Sequence, residues 1–331
     1  MSQRGHSSTV ARRHYDAGVS VAIEVDNLRV QYAGRDEAAL GGVSFDVGEG
    51  EFLGLLGPNG SGKSTLFKVL ATLLRPTDGS AKVGGVDVLE DPAAVRRQLG
   101  VVFQHPALDK ELTGRENLTC HGRLLGLPRR VVDERADSLV AAVGAGEFQH
   151  AIVKTLSGGM RRRLEIAKSL MGLPRVLLLD EPTVGLDPAS RRRTWAMLDE
   201  IRRASAQPLT IVLTTHLMDE AAACDRLVLL NEGDVVAQGT PAELTEQAGG
   251  AIVTLVPEDL ADVGRLAEAA GNGQAAQVIG GLVRIEYDPG PELVRAAMAG
   301  ELGVAVREAS VGKPVLEDAF IRLTGRGLGD E

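Results

Sequence analysis

Phe52-Leu53-Gly54-Leu55-Leu56-Gly57-Pro58-Asn59-Gly60-Ser61-Gly62-Lys63-Ser64-Thr65 reads as a short apolar strand, a glycine-rich turn and the opening of a helix that continues over residues 66–74. The turn matches G-x-x-x-x-G-K-[ST] with a strand before it and a helix after it, the context that gives the pattern its meaning. Glycines let consecutive backbone N–H groups turn inward around phosphate oxygens, and the following helix directs its positive end at the same anion. Gly57, Pro58, Asn59, Gly60, Ser61 and Gly62 are therefore the candidate cradle. Lys63 would reach the β- and γ-phosphates of a nucleotide, Ser64 would hold Mg²⁺, and Thr65 ends the motif.

Working outward, continuous apolar runs at 101–103, 176–179, 210–213 and 227–230 have the pattern of strands buried on both faces, as in a parallel sheet covered by helices. The fold class is α/β. Val-rich, Gly-punctuated stretches at 21–32, 43–47 and 81–88 predict an N-terminal antiparallel β subdomain, and residues 106–172 predict a mostly helical insertion. Beyond Gly249-Gly250 the order is strand 251–256, helix 259–270, strands 276–279 and 282–287, helix 292–299, strand 304–309 and a last helix 316–324. That β-α-β-β-α-β succession is ferredoxin-like. The expected organisation is a disordered tail at 1–20, an ATPase domain at 21–247 with its helical subdomain at about 106–172, and a small accessory α+β domain at 251–331.

The run at 176–179 ends in Asp180-Glu181. In a parallel sheet, ligands gather at the carboxyl ends of the strands, so Asp180 would meet the metal and Glu181 would act as general base for an attacking water. The 331 residues carry a formal charge of −9, which argues against a nucleic-acid binder relying on a broad basic face. Cys120 and Cys224 lack metal-ligand spacing and read as reduced thiols. No apolar run approaches the roughly 18 residues of a membrane span, and the first twenty residues lack the apolar stretch of a secretory signal.

Further residues carry a family resemblance. Leu156-Ser157-Gly158-Gly159-Met160, opening a basic helix ahead of Asp180, resembles the signature motif of ABC ATPases, with Met160 where most families have Gln. Gln104 resembles the Q-loop glutamine that senses Mg²⁺ and γ-phosphate and links them to a membrane partner. Pro182-Thr183-Val184-Gly185-Leu186-Asp187 resembles the D-loop region, Thr214-Thr215-His216 the switch histidine, and Tyr32 the aromatic that stacks on adenine. The resemblance implies ATP and Mg²⁺ as ligands, with Ser64, Gln104 and Asp180 around the metal. Catalysis is implied for Lys63, Gln104, Glu181 and His216, with His216 on the γ-phosphate. Two chains would face each other head to tail, each ATP held between Gly57–Thr65 of one and Ser157, Gly158 and Gly159 of the other, with Asp187 at the subunit contact.

Phe103-Gln104-His105-Pro106-Ala107-Leu108-Asp109, Leu112-Thr113-Gly114-Arg115-Glu116-Asn117-Leu118 and Pro314-Val315-Leu316-Glu317-Asp318-Ala319-Phe320 followed by Leu323-Thr324-Gly325 resemble the daunorubicin-resistance type of exporter ATPase. That group implies a separate six-helix permease of the ABC-2 type, cargoes among drugs, antibiotics and lipid or glycan molecules, and a peripheral place on the cytoplasmic face of the membrane. Two alternatives stay open. An uptake ATPase keeps the same motifs but more often ends in a β-barrel; a non-transport ABC protein of DNA repair or translation usually adds a long coiled coil or a second cassette.

Overall fold

The computed structural model of the protein describes residues 20–205, 207–247, 250–271, 276–287 and 289–324. Apart from Ser20, the tail expected at 1–20 lies outside them. Val21–Val30 (β1) and Leu40–Gly48 (β2) pair antiparallel, and Phe52–Leu56 (β3) follows with all five residues buried. Lys63–Leu70 (α1) leaves the glycine-rich turn and leads to Asp78–Val83 (β4) and Val86–Asp87 (β5). Within the Gly-punctuated β-rich stretch expected over 81–88, the chain folds back at Gly84-Gly85. Their φ values of 56° and 75° suit a two-residue hairpin turn in which both residues are left-handed, a conformation that glycine adopts at no steric cost. The resulting antiparallel sheet has the order β2-β1-β4-β5.

Pro92–Gln98 (α2) and Leu99–Val102 (β6) lead into Gly114–Leu124 (α3), Arg129–Ala142 (α4) and Gly158–Leu170 (α5). α3 begins at a reciprocal cap, in which Thr113 and Glu116 each accept the other's backbone N–H. Then come Val176–Asp180 (β7), Pro188–Ala204 (α6), Thr210–Thr215 (β8), Met218–Ala221 (α7), Arg226–Asn231 (β9) and Asp234–Gly239 (β10). They complete a sheet of order β10-β9-β3-β8-β7-β6, parallel except at the β10 edge. β3 and β8 are buried throughout, and β7 and β9 up to their last residue, which is why each carries an unbroken apolar run.

Register positions the site. Leu56 pairs with Thr215, Asp180 with Thr214 and Val102 with Leu179, so the carboxyl ends of β3, β8, β7 and β6 lie side by side. The glycine-rich loop, Gln104, Asp180-Glu181 and His216 all leave the sheet at this end. Phe67 of α1 packs edge-on against Phe103, with ring centroids 5.9 Å apart, which anchors the residue preceding Gln104.

The two thiols differ in surroundings. Cys224 is buried, donates to the carbonyl of Glu220 at 3.4 Å and sits in the space left by the absent side chain of Gly54, while Cys120 is exposed. Burial pushes the Cys224 thiol far up, and thiolate is the reactive form. Alkylation of the native protein at neutral pH is therefore expected to label Cys120 alone, with Cys224 labelled only after denaturation, as read by peptide mass spectrometry.

The chain divides into two compact units, Met1–Thr240 and Pro241–Glu331. The division falls ahead of the expected 247–251 because Pro241–Glu246 (α8) packs along the last helix of the second unit. That unit runs Ile252–Pro257 (β11), Val263–Gly271 (α9), Ala276–Ile279 (β12), Leu282–Glu286 (β13), Gly290–Met298 (α10), Val306–Gly312 (β14) and Leu316–Thr324 (α11). The sheet order is β12-β13-β11-β14 with every pair antiparallel, the ferredoxin-like arrangement expected from the sequence. Val253, Leu255, Val283 and Ile285 are buried against α9 and α10. Between them on β13, Arg284 and Glu286 reach Asp318 and Arg322 of α11 at 2.9 and 2.8 Å, so α11 covers the opposite face.

Candidate functional site

Gly57 follows β3 where no side chain fits, since a Cβ there would lie 2.3 Å from the carbonyl of Leu230 and 2.5 Å from Ser61 Oγ. Gly62 has φ 101°, and a Cβ on it would stand 2.7 Å from the carbonyl of Ala39. Past it, α1 starts with no side-chain cap on its first N–H groups, which leaves them for an anion. Lys63 is only 5% exposed and folds across its own loop, donating to the carbonyls of Gly57 and Pro58 at 2.7 and 2.8 Å. Burial pulls its ammonium below the usual range, opposed by the carboxylates of Glu181 and Asp180.

The Ser61 hydroxyl is buried without a partner. An orphaned hydroxyl is costly in an interior, and Lys63 spends its protons here on neutral acceptors. A phosphate group would offer both a charged acceptor, so these residues fit one. Asn59 and Gly60 are exposed at the loop tip and Ser64 on the first helical turn, while buried Thr65 meets the Tyr32 hydroxyl at 3.3 Å. Tyr32 thus flanks the loop.

At the neighbouring strand ends three sequence-predicted residues meet directly. Gln104 Nε2 donates to Glu181 Oε2 at 2.9 Å, and His216 Nδ1 lies 3.1 Å from Glu181 Oε1. Glu181 has φ 45°, a left-handed conformation that is strained for a residue with a side chain. Its N–H is held by the Thr214 hydroxyl at 2.9 Å, and the same hydroxyl donates to Asp180 Oδ1 at 2.6 Å. Burial pushes the Asp180 carboxyl up, countered by that hydrogen bond. Among the described residues no cluster of three or more His, Cys, Asp and Glu side chains forms a metal cage. Oxygen donors from Ser64 and Asp180, completed by substrate phosphates, are a donor set that suits Mg²⁺.

Ser157 caps α5, its hydroxyl accepting the N–H of Met160 at 3.3 Å. Gly159 is packed so closely that a Cβ would come within 2.8 Å of Ser190 Oγ, and one on Gly158 would touch Leu186 at 3.5 Å. Asp187 caps α6 through the N–H groups of Ala189 and Ser190, both at 3.0 Å, and its hydrogen bonds, that with Ser190 foremost, hold its carboxyl below the usual range. The signature and the segment around Asp187 therefore lie together. The cavity beside them, lined by Ser157, Gly159, Met160, Arg163, Ser190 and Arg193 among others, takes no residue from 57–65.

Sequence reasoning passed over Thr214, which orients both acids, and the buried pair Arg162 and Glu165. Thr214 stands in the Thr-Thr-His stretch already singled out. For Arg162 the available signal was its i,i+3 spacing to Glu165 on the basic helix α5.

The model of the ABC transporter family matches residues 40–184. The daunorubicin/doxorubicin resistance ATP-binding protein DrrA of Streptomyces peucetius is 38% identical over 93% of this chain and 94% of its own length. The Nod factor export ATP-binding protein I of Rhizobium meliloti is 38% identical over 94% of this chain and 90% of its own. Among solved structures, a dimeric post-hydrolysis state of an ATP-binding cassette bound to ADP and Pi superposes with a TM-score of 0.60 at 27% identity, covering 66% of this chain and 98% of that one. With relatives aligned nearly end to end and the phosphate cradle facing a carboxylate at the strand ends, the chain belongs to the ABC transporter family, as one of its ATP-hydrolysing subunits.

Proposed function

We propose that this chain powers export through a separate six-helix permease of the ABC-2 type, acting at the cytoplasmic face of the membrane as one of a head-to-tail pair of ATPases. The export reading rests on the end-to-end similarity to exporter subunits, and its ATP-driven step on the contact of Gln104 and His216 with the two oxygens of Glu181, at the same end of the sheet as Lys63. A carboxylate has about four lone-pair sites, so Glu181 keeps room to accept a proton from the attacking water while two neighbours fix its orientation. His216 and Lys63 hold the γ-phosphate end of ATP, with Lys63 turning from its own carbonyls to the phosphates. Tyr32 stacks on the adenine from the flank of the loop. Mg²⁺, held by Ser64, Asp180 and Gln104, would neutralise charge on the phosphates.

The absence of 57–65 from the cavity beside Ser157, Gly158 and Gly159 supports the pairing, since a second chain can bring its own ATP there. Asp187, beside the signature, then lies at the contact. ATP closes the pair and loss of the γ-phosphate releases it. No helix among the described residues is long and apolar enough to cross a membrane, so the cargo path is assigned to the permease. The unit ending at Thr240 serves as ATPase domain and the unit from Pro241 as accessory domain. The names of two relatives, a daunorubicin/doxorubicin resistance protein and a Nod factor export protein, support efflux, with cargoes among drugs, antibiotics and lipid or glycan molecules.

A search of the neighbouring reading frames for a six-span membrane protein, followed by co-expression with it, tests the export reading. The pair is expected to purify together and, in inside-out vesicles, to accumulate a fluorescent anthracycline or another tested cargo only with Mg-ATP. Failure to associate, or transport in the opposite direction, would overturn it.

A further inference from the structure

α5 begins at the signature serine and carries Arg162, Glu165 and Lys168 at helical spacing on one face. Arg162 and Glu165 have side chains only 7% and 6% exposed. The guanidinium reaches four acceptors: the carbonyl of Pro182 at 2.6 Å, that of Phe103 at 2.8 Å, Glu165 Oε2 at 3.1 Å and the carbonyl of Glu181 at 3.3 Å. Glu165 in turn accepts the N–H of Ala107 at 2.7 Å, and Lys168 donates to the carbonyl of Ala107 at 2.6 Å.

The geometry singles out one bond. Gln104 donates to Glu181, and Arg162 holds the backbone on both sides of that contact, at the residue before Gln104 and at Glu181 itself. Glu181 also sits in a left-handed conformation that persists only where its surroundings over-determine it, and Arg162 and Thr214 grip its carbonyl and N–H. A buried ion pair is weak as a stability device, because desolvating both charges offsets their attraction and an apolar pair of similar volume often does as well. A planar fork with five donors does what an apolar side chain cannot, satisfying three separate carbonyls in fixed directions.

We propose that Arg162 is a positioning residue for ATP hydrolysis, aligning Gln104 and Glu181 through the carbonyls of Phe103, Glu181 and Pro182. The inference rests on Glu181 being the base. It acts on the chemical step and not on nucleotide capture, because none of its contacts lies in the loop 57–65.

The test uses the full-length protein and Mg-ATP. R162M/E165Q removes both charges of the buried pair together and keeps acceptors for the N–H of Ala107 and, through the Ala107 carbonyl, for Lys168; E165Q is the control. In R162M/E165Q, kcat is expected to fall by more than about fivefold relative to E165Q, while KM and the equilibrium affinity for ATP stay within about threefold. Adding Q104A is expected to lower kcat by less than about twofold more, since residues acting through one bond are not additive. A fall in kcat smaller than fivefold, a loss carried by KM, or a full multiplicative loss on adding Q104A would overturn the proposal. Should R162M/E165Q melt too low to assay, R162K, which keeps the charge opposite Glu165 but not the fork, is judged by the same fivefold criterion. E181Q is assayed alongside. Wild-type turnover there would bring down the base assignment, whereas an inactive E181Q beside an undiminished R162M/E165Q would bring down this inference alone.

Discussion

Glu181→Gln is expected to leave ATP bound and to stop its turnover. The amide has the shape of the carboxylate it replaces, so the contacts from Gln104 Nε2 and the His216 ring still have an oxygen or nitrogen to meet, and the loop 57–65 is untouched. What disappears is the capacity to take a proton from water. General-base catalysis contributes about 10²- to 10⁴-fold in rate, or about 3–5 kcal/mol of barrier at 1.36 kcal/mol per tenfold. A fall in kcat of at least about 100-fold with ATP affinity within about threefold is the expected outcome. Because the γ-phosphate then stays in place, the paired form is expected to accumulate, read as a dimer peak in gel filtration with Mg-ATP. Turnover near the wild-type rate would remove Glu181 from the base role.

Neighbouring acids are not interchangeable in this respect. Asp180 has one oxygen committed to the Thr214 hydroxyl at 2.6 Å, and burial raises its carboxyl. Glu181 lies one residue further along, beyond the last position of β7, where the left-handed turn swings its side chain between Gln104 and His216. Two adjacent carboxylates thus acquire different surroundings from one change of φ.

That division of labour also explains what could be read from the sequence. The strands Phe52–Leu56, Val176–Asp180 and Thr210–Thr215 each carry an unbroken apolar run because both faces of the sheet are covered, so strand, burial and the chemistry at each strand end follow from one pattern. The glycine-rich loop was legible because close approach of backbone leaves no room for Cβ at Gly57 and Gly62. Arg162 and Glu165 were not, since charges on a helix ordinarily face solvent and only the fold brings the carbonyls of Phe103, Glu181 and Pro182 onto them. The boundary at Thr240 escaped notice because the helix after it looks, by composition, like a continuation of what precedes.

Lys63→Ala carries the second large expectation, and its size differs between binding and folding. In the unliganded chain the ammonium is buried, its charge disfavoured by desolvation, and it satisfies only the carbonyls of Gly57 and Pro58. Losing it relieves that cost while removing the countercharge of Asp180 and Glu181, two opposed effects, so the melting temperature of the free protein is expected to move by only a few degrees, about the shift of 1 kcal/mol. Binding has no such offset. A hydrogen bond to a charged group is worth about 1.5–3 kcal/mol, and loss of two from the ammonium to the phosphates weakens ATP by about 100-fold or more at 1.4 kcal/mol per tenfold. The expectation is a stable protein with little affinity for Mg-ATP by equilibrium titration. Wild-type affinity in folded Lys63→Ala would mean that the triphosphate lies elsewhere, because no other cation on the loop 57–65 could replace the lost contacts.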